Sequence, residues 1–327
     1  MTDAAVQRRV DSGPSLARAP VSLFAIVMGL GGLALAWRKA HVVFAAPAAV
    51  GETLFALAAA VFVAVTGIQL VRALLHSSAL VEEFRHPVSV NFIPALSVSL
   101  ALLSAGLAPY DLAAAGTLWL LAALIHLSLA FLILRRWFGG SMRTEQASPA
   151  WFIPVVGTML MPVVGMPLGH LHLSWFLFSV GFVFWLILAP LMTHRLFFAE
   201  PLAERAVPSL FILLAPPAVG GLAVLALDHG QASPFSHVLF CFAAFIALLV
   251  ASMLGRIFRT HFAIGWWALT FPSAAFASLA LSYVTLVPGV ETLIVAGLAL
   301  AFATLIVAAL AVITLRALLR GELVPPP

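Results

Sequence analysis

The chain has 327 residues, 63% of them hydrophobic and 9% charged, with a formal net charge of +4. Soluble domains average about 25% charged residues, so this composition excludes a soluble globular protein and leaves no stretch for a soluble catalytic domain. The single Cys241 excludes internal disulfides and any cysteine-ligated cluster. The high pI reflects basic loops beside membrane spans, not nucleic-acid binding.

Apolar segments close to the roughly 20 residues that cross a bilayer recur along the whole chain. In order they cover 21–37, 52–75, 90–107, 112–136, 151–167, 171–197, 207–227, 236–258, 264–284 and 291–318. Residues 1–19 are expected to be a polar cytoplasmic tail and not a signal peptide, because the apolar run after Pro20 continues as a full span. Residues 20–320 then form one ten-helix membrane domain, and 321–327, ending Val-Pro-Pro-Pro, form a short tail. The fold class expected is all-α integral membrane.

Odd and even segments differ. Gly29, Gly31 and Gly32 fall in the first; Pro94 in the third; Pro154, Gly157 and Pro162 in the fifth; Pro216, Pro217, Gly220 and Gly221 in the seventh; Gly265 and Pro272 in the ninth. The even segments contain one proline among them, Pro190. Irregular backbone at membrane depth is tolerated where protein or a water-filled cavity satisfies it. The alternation therefore predicts five helical hairpins, each presenting one irregular odd helix to a shared interior. Small residues also serve close helix packing, so the pattern alone leaves open whether that interior is a pore. All odd helices run the same way, unlike the arrangement of an inverted-repeat transporter.

Of the 16 basic residues, 14 lie before the first span, in the loops after even spans, or after the tenth; only Arg38 and Lys39, assigned to the first outer connection, do not. Basic residues mark cytoplasmic loops, which puts both termini in the cytoplasm, in a multi-pass protein of the inner (plasma) membrane.

No Asp, Glu, Lys or Arg falls in the middle of any predicted span. Buried carboxylates mark proton relays and cation sites, and their absence argues against a proton-driven pump or a cation channel. An anion meets no buried negative charge and is favoured by helix N-termini exposed at the breaks. Ser97, Ser99, Thr158 and Thr270, with Gly157, Gly220, Pro94 and Pro272, are candidate lining on odd spans, although each hydroxyl can instead bond its own helix backbone. His126, mid-way along the fourth span, suits an interhelical hydrogen bond. His170 and His172 are a weak metal pair without an acid or cysteine beside them. One mid-span histidine does not make a haem site. No cofactor, metal or enzymatic motif is expected. Cys241 reads as a small packing residue. Phe271 directly precedes Pro272, where a ring on an inner helix either packs or constricts a pore.

The stretch Glu83-Phe84-Arg85-His86-Pro87-Val88-Ser89-Val90-Asn91-Phe92-Ile93-Pro94 resembles the His-Pro-Val…Asn-Phe-(Phe/Ile)-Pro signature of the tellurite-resistance/C4-dicarboxylate transporter family. That family includes bacterial TehA and the slow anion channels of plant guard cells. Gly265-Trp266-Trp267-Ala268-Leu269-Thr270-Phe271-Pro272 is similar to its Trp-Trp…(Ser/Thr)-Phe-Pro pattern in the ninth span. The resemblance implies a homotrimer in the lipid bilayer, one pore per protomer along the five inner helices, and conduction of small inorganic or organic anions. It also implies a phenylalanine that occludes the pore, here Phe271. A coupled carrier of C4-dicarboxylates, or of sulfite- or tellurite-related anions, is the alternative within that family. A membrane enzyme or haem subunit is the alternative outside it.

Overall fold

The computed structural model describes residues 16–140 and 142–321. Most of the expected tails, with Arg8 and Arg9, lie outside these residues. Helices dominate, and no strand occurs among the described residues. The long helices are α1 (Phe24–Phe44), α2 (Ala48–Leu75), α3 (Ala95–Leu107), α4 (Leu112–Phe138), α5 (Phe152–Gly165), α6 (Leu171–Phe198), α7 (Ala215–Leu227), α8 (Pro234–Ser252), α9 (Thr270–Leu286) and α10 (Val290–Leu319). With their lead-in turns, nine are long and apolar enough to cross a membrane; the fifth, Pro149–Gly165, is a shorter apolar helix.

Each odd helix packs on the even helix that follows it, and the odd helices close a ring, with contacts α1–α3, α3–α5, α5–α7, α7–α9 and α9–α1. Burial follows the same alternation. The long odd spans are 72 to 89% buried and the even ones 11 to 39%. The sheath of even helices exposes Val63, Leu70, Phe131, Phe245, Leu248, Leu298 and Leu305, an apolar surface far larger than a soluble monomer shows.

The prolines of the odd segments sit differently from the mid-helix breaks expected of them. Each odd α-helix is preceded by a 3-10 segment: Val21–Leu23, Ser89–Phe92, Pro149–Trp151, Glu204–Leu214 and Ile264–Leu269. Pro94 caps α3, Pro216 and Pro217 open α7, and Pro154 and Pro272 stand at the third position of α5 and α9. In the first turn the N–H that proline lacks has no helical partner to lose. Among the described residues only Pro162 and Pro190 interrupt α-helix interiors.

Three further expectations are corrected. The first span does not end at Trp37; α1 runs to Phe44 and carries Arg38 and Lys39. The Arg38 head finds its partners on α2 and α3. Arg38 holds Glu52 at 2.7 and 2.8 Å and donates to the Gly106 carbonyl at 2.7 Å. The helix stops at Ala45 in the left-handed region (φ 51) before Pro47. Tyr110 joins this cluster through Glu52, whose hydrogen bond raises the phenol above its ordinary pKa. The eighth segment is not continuous to 258: α8 ends at Ser252, and a separate turn covers Leu254–Ile257. Cys241 is exposed on the outer face of α8 rather than packed.

The Glu83–Pro94 motif is a structural knot. Glu83 lies in the last turn of a short helix, Ser77–Arg85, and forms a buried ion pair with Arg72 at 2.5 Å. Its other oxygen accepts the Val21 N–H at 2.9 Å, which ties the start of the first span to α2. His86 Nδ1 accepts from the Val88 and Ser89 amides, and Asn91 Nδ2 donates to the Pro87 and Val88 carbonyls. These bonds satisfy the turn that feeds the chain from the surface helix into α3.

Candidate functional site

The five junctions between 3-10 lead-in and α-helix meet around one narrow cavity of ≈ 50 Å³. Every odd helix lines it. Ala25 and Met28 come from α1; Phe92, Ala95 and Val98 from the third segment; Phe152, Ile153, Val156, Gly157 and Leu160 from α5. Ile212, Ala215 and Val219 come from the seventh segment, and Trp267, Ala268, Phe271 and Pro272 from the ninth. No even helix contributes. Among the described residues the lining carries no ionisable side chain and no hydroxyl. Trp267 turns its indole N–H away, donating to Thr314 Oγ1 of α10 at 2.9 Å.

The electrostatics come from the backbone. An α-helix presents about half a positive charge at its N-terminus. Five such ends border the same apolar space, because each lead-in stops and each α-helix starts there.

Phe271, Gly157 and Pro272 line this cavity. The other expected residues lie outside the lining. Ser97, Ser99, Thr158 and Thr270 are fully buried, and each donates to a carbonyl of its own segment: Pro94, Ala95, Val155 and Trp267. Thr270 packs on Gly29, where a β-carbon would overlap it. Gly220 makes room for the Met159 methyl. Pro94 caps α3.

Phe271 is the partly exposed residue in an otherwise buried stretch of α9. Its ring lies on the bare backbone of Gly32 in α1. His126 reaches in from α4, meets Ser97 Oγ at 2.9 Å as expected, and fills the slot left by Gly157. Gly157 thus serves both the cavity wall and the packing of an outer side chain.

A second, wider cavity of ≈ 460 Å³ lies at the far ends of four of these helices, α1, α5, α7 and α9. It is lined by Lys39, Val163, Met166, Pro167, Leu222, Leu225, Ala226, His229, Gly230, Ser282, Thr285 and Leu286. The two cavities follow one another along α5 and α7. Leu160 and Val163 on α5, and Val219 and Leu222 on α7, are successive i, i+3 neighbours. Pro272 and Ser282 on α9 are separated by about 15 Å at helical rise. Sequence reasoning missed most of the first lining, because its residues are ordinary apolar types. Their proximity to the Pro/Gly breaks was the available signal. It also missed the His237–Tyr283 hydrogen bond between α8 and α9, which links two distant segments and has no local signature.

A closed ring of irregular apolar helices inside an exposed apolar sheath defines a multi-pass helical membrane protein with an apolar cavity inside the ring. The chain belongs to the voltage-dependent anion channel family, SLAC1, whose model matches residues 18–318. It is similar to the S-type anion channel SLAH3 of Arabidopsis thaliana, with 28% identity over 92% of this chain and 49% of that protein. The guard cell S-type anion channel SLAC1 of the same plant is 25% identical over 84% of this chain and 51% of its own length. The tellurite resistance protein TehA homolog of Haemophilus influenzae is 23% identical over 93% of this chain and 92% of that one. The chain thus spans about half the length of these two plant relatives and nearly all of the bacterial one.

Proposed function

We propose that this protein is an anion channel of ten membrane-spanning helices, in which five hairpins surround a pore closed by Phe271. The observation that carries this reading is the meeting of all five inner-helix N-termini on one cavity without an ionisable side chain. Bare burial of an ion costs tens of kcal/mol in an ideal low-dielectric medium. Helix dipoles lower that cost for an anion and raise it for a cation. The cavity offers no arginine to clamp a carboxylate, so weak binding and passage fit better than coupled carriage of a dicarboxylate. Family membership supports anion transport, and the shorter Pro149–Gly165 helix counts as the fifth span.

Both termini face the cytoplasm of the inner (plasma) membrane in this reading, since the basic loops gather at one end of the bundle. A homotrimer with one pore per protomer follows the family resemblance. The test is anion-replacement electrophysiology on purified protein in a planar bilayer. Currents that reverse at the anion equilibrium potential and follow the electrochemical gradient support the channel. Saturable exchange without net current would replace it with a carrier.

A further inference from the structure

The wide cavity beyond Phe271 differs in kind from the narrow one. Lys39, on the last turns of α1, points into it and donates to Ser282 Oγ of α9 at 2.5 Å. An ammonium has three N–H donors, and Ser282 takes one. The ion pairs Arg38–Glu52 and Arg72–Glu83 do not include Lys39, which has no carboxylate partner among the described residues. Its neighbour Arg38 faces the opposite way, neutralised by Glu52. His229 and the Ser282 and Thr285 hydroxyls share the cavity wall, and no acidic side chain does. Asp228 precedes His229 but is not part of the lining. The remaining wall is apolar and so strengthens the field of a single cation.

We infer that this vestibule is an anion-binding site, in which Lys39 holds a small inorganic anion such as chloride or nitrate before or after it passes Phe271. This rests on the channel reading and assigns the permeating anion a station within it. The station lies about 15 Å along α9 from the constriction. Lys39 supplies the charge and two free donors. Ser282 holds the ammonium in place and offers its own O–H, and His229 borders the open side.

The test is conductance of the reconstituted channel with the chloride concentration varied on the Lys39 side. Lys39→Gln should lower the current at low chloride by roughly tenfold, the lower end of the enrichment a single-sign cleft provides. The deficit should shrink near 1 M salt, where the Debye length falls to about 3 Å. Lys39→Arg should retain most of the current. Ser282→Ala should have the smaller effect; a loss equal to that of Lys39→Gln would show a structural clasp and overturn the site. Lys39→Cys in a Cys241→Ser background gives a chemical check. A cationic thiosulfonate should restore current and an anionic one lower it further, whereas equal responses to both overturn the site. Wild-type protein that conducts, with Lys39→Gln indistinguishable at all concentrations, overturns this inference alone. Wild-type protein that passes no anion overturns the channel reading and this site together.

Discussion

The ring of Phe271 rests on Gly32. A β-carbon built on Gly32 would stand 3.3 Å from Phe271 Cδ2 and 3.2 Å from Ala274 Cβ. A bulky side chain at the junction of the ninth segment therefore lies over one of the three glycines of α1, Gly29, Gly31 and Gly32. That contact sets how far the ring reaches into the cavity.

Removing the ring should open the path. Phe271→Ala is expected to raise anion current several-fold in a planar bilayer, with the protein still monodisperse in detergent, because a hydrophobic constriction gates by excluding water and ion. Unchanged current from folded protein would mean that the ring only packs.

Crowding the ring should act in the opposite direction. In Gly32→Ala the new methyl is tighter than ordinary contact with Phe271 and Ala274, and overpacking of this kind costs about 1–3 kcal/mol. The ring is the neighbour with free space to move, toward the cavity. Lower current is expected, and most of that loss should vanish when Gly32→Ala is placed in a Phe271→Ala background. Additive effects in the double variant would refute coupling through the ring.

Gly157 and His126 should behave as a size pair. A β-carbon at Gly157 would overlap the imidazole, which is fully buried. Gly157→Ala should destabilise the detergent-solubilised protein by about 1–3 kcal/mol. Adding His126→Ala should recover part of that, giving a measurable coupling in a thermal-unfolding cycle.

The Arg72–Glu83 pair should matter for folding more than for conduction. Its two side chains are only 5 and 10% exposed, and Glu83 also holds the Val21 amide. Glu83→Ala strands a buried guanidinium, a loss of about 3–5 kcal/mol for comparable pairs. A clear fall in melting temperature is the expected reading. A shift no larger than that of an exposed substitution would show that Arg72 finds other partners, of which the Ala17 carbonyl at 3.0 Å is the nearest to hand.

Cys241 offers a test of the sheath. It stands on α8 among the exposed Val238, Phe242 and Phe245. In proteoliposomes it should be reached by a membrane-permeant apolar maleimide and resist a charged, water-soluble one, since a charge is costly to carry into hydrocarbon. Rapid labelling by the charged reagent would place this face in water.

Much of the architecture was legible in the chain itself. The helical segments and their alternation follow from apolar length and Pro/Gly placement, which are local quantities, and the count of Arg and Lys carries the proposed orientation. The odd segments are the buried ones because only buried backbone tolerates their irregularity. The site was less legible. Ser97, Ser99, Thr158 and Thr270 looked like lining because they are polar residues on odd segments. Yet each spends its hydroxyl on its own segment, the option that local backbone geometry always offers. Gly157, Phe271 and Pro272 were identifiable because glycine and proline mark the breaks at which the cavity forms.

What the sequence determined by itself, then, was a helical membrane protein with an irregular interior and no charge at its middle. Only the tertiary structure decided which face of each inner helix meets the cavity. Rotation about a helix axis is set by packing partners far away in the chain: Gly29 against Thr270, Gly32 against Phe271, Gly157 against His126 and Gly221 against Leu279. The same is true of Lys39. Read locally it ends a span, but the packing of α1 on α9 brings its ammonium to Ser282, 243 residues away, at the wall of a cavity.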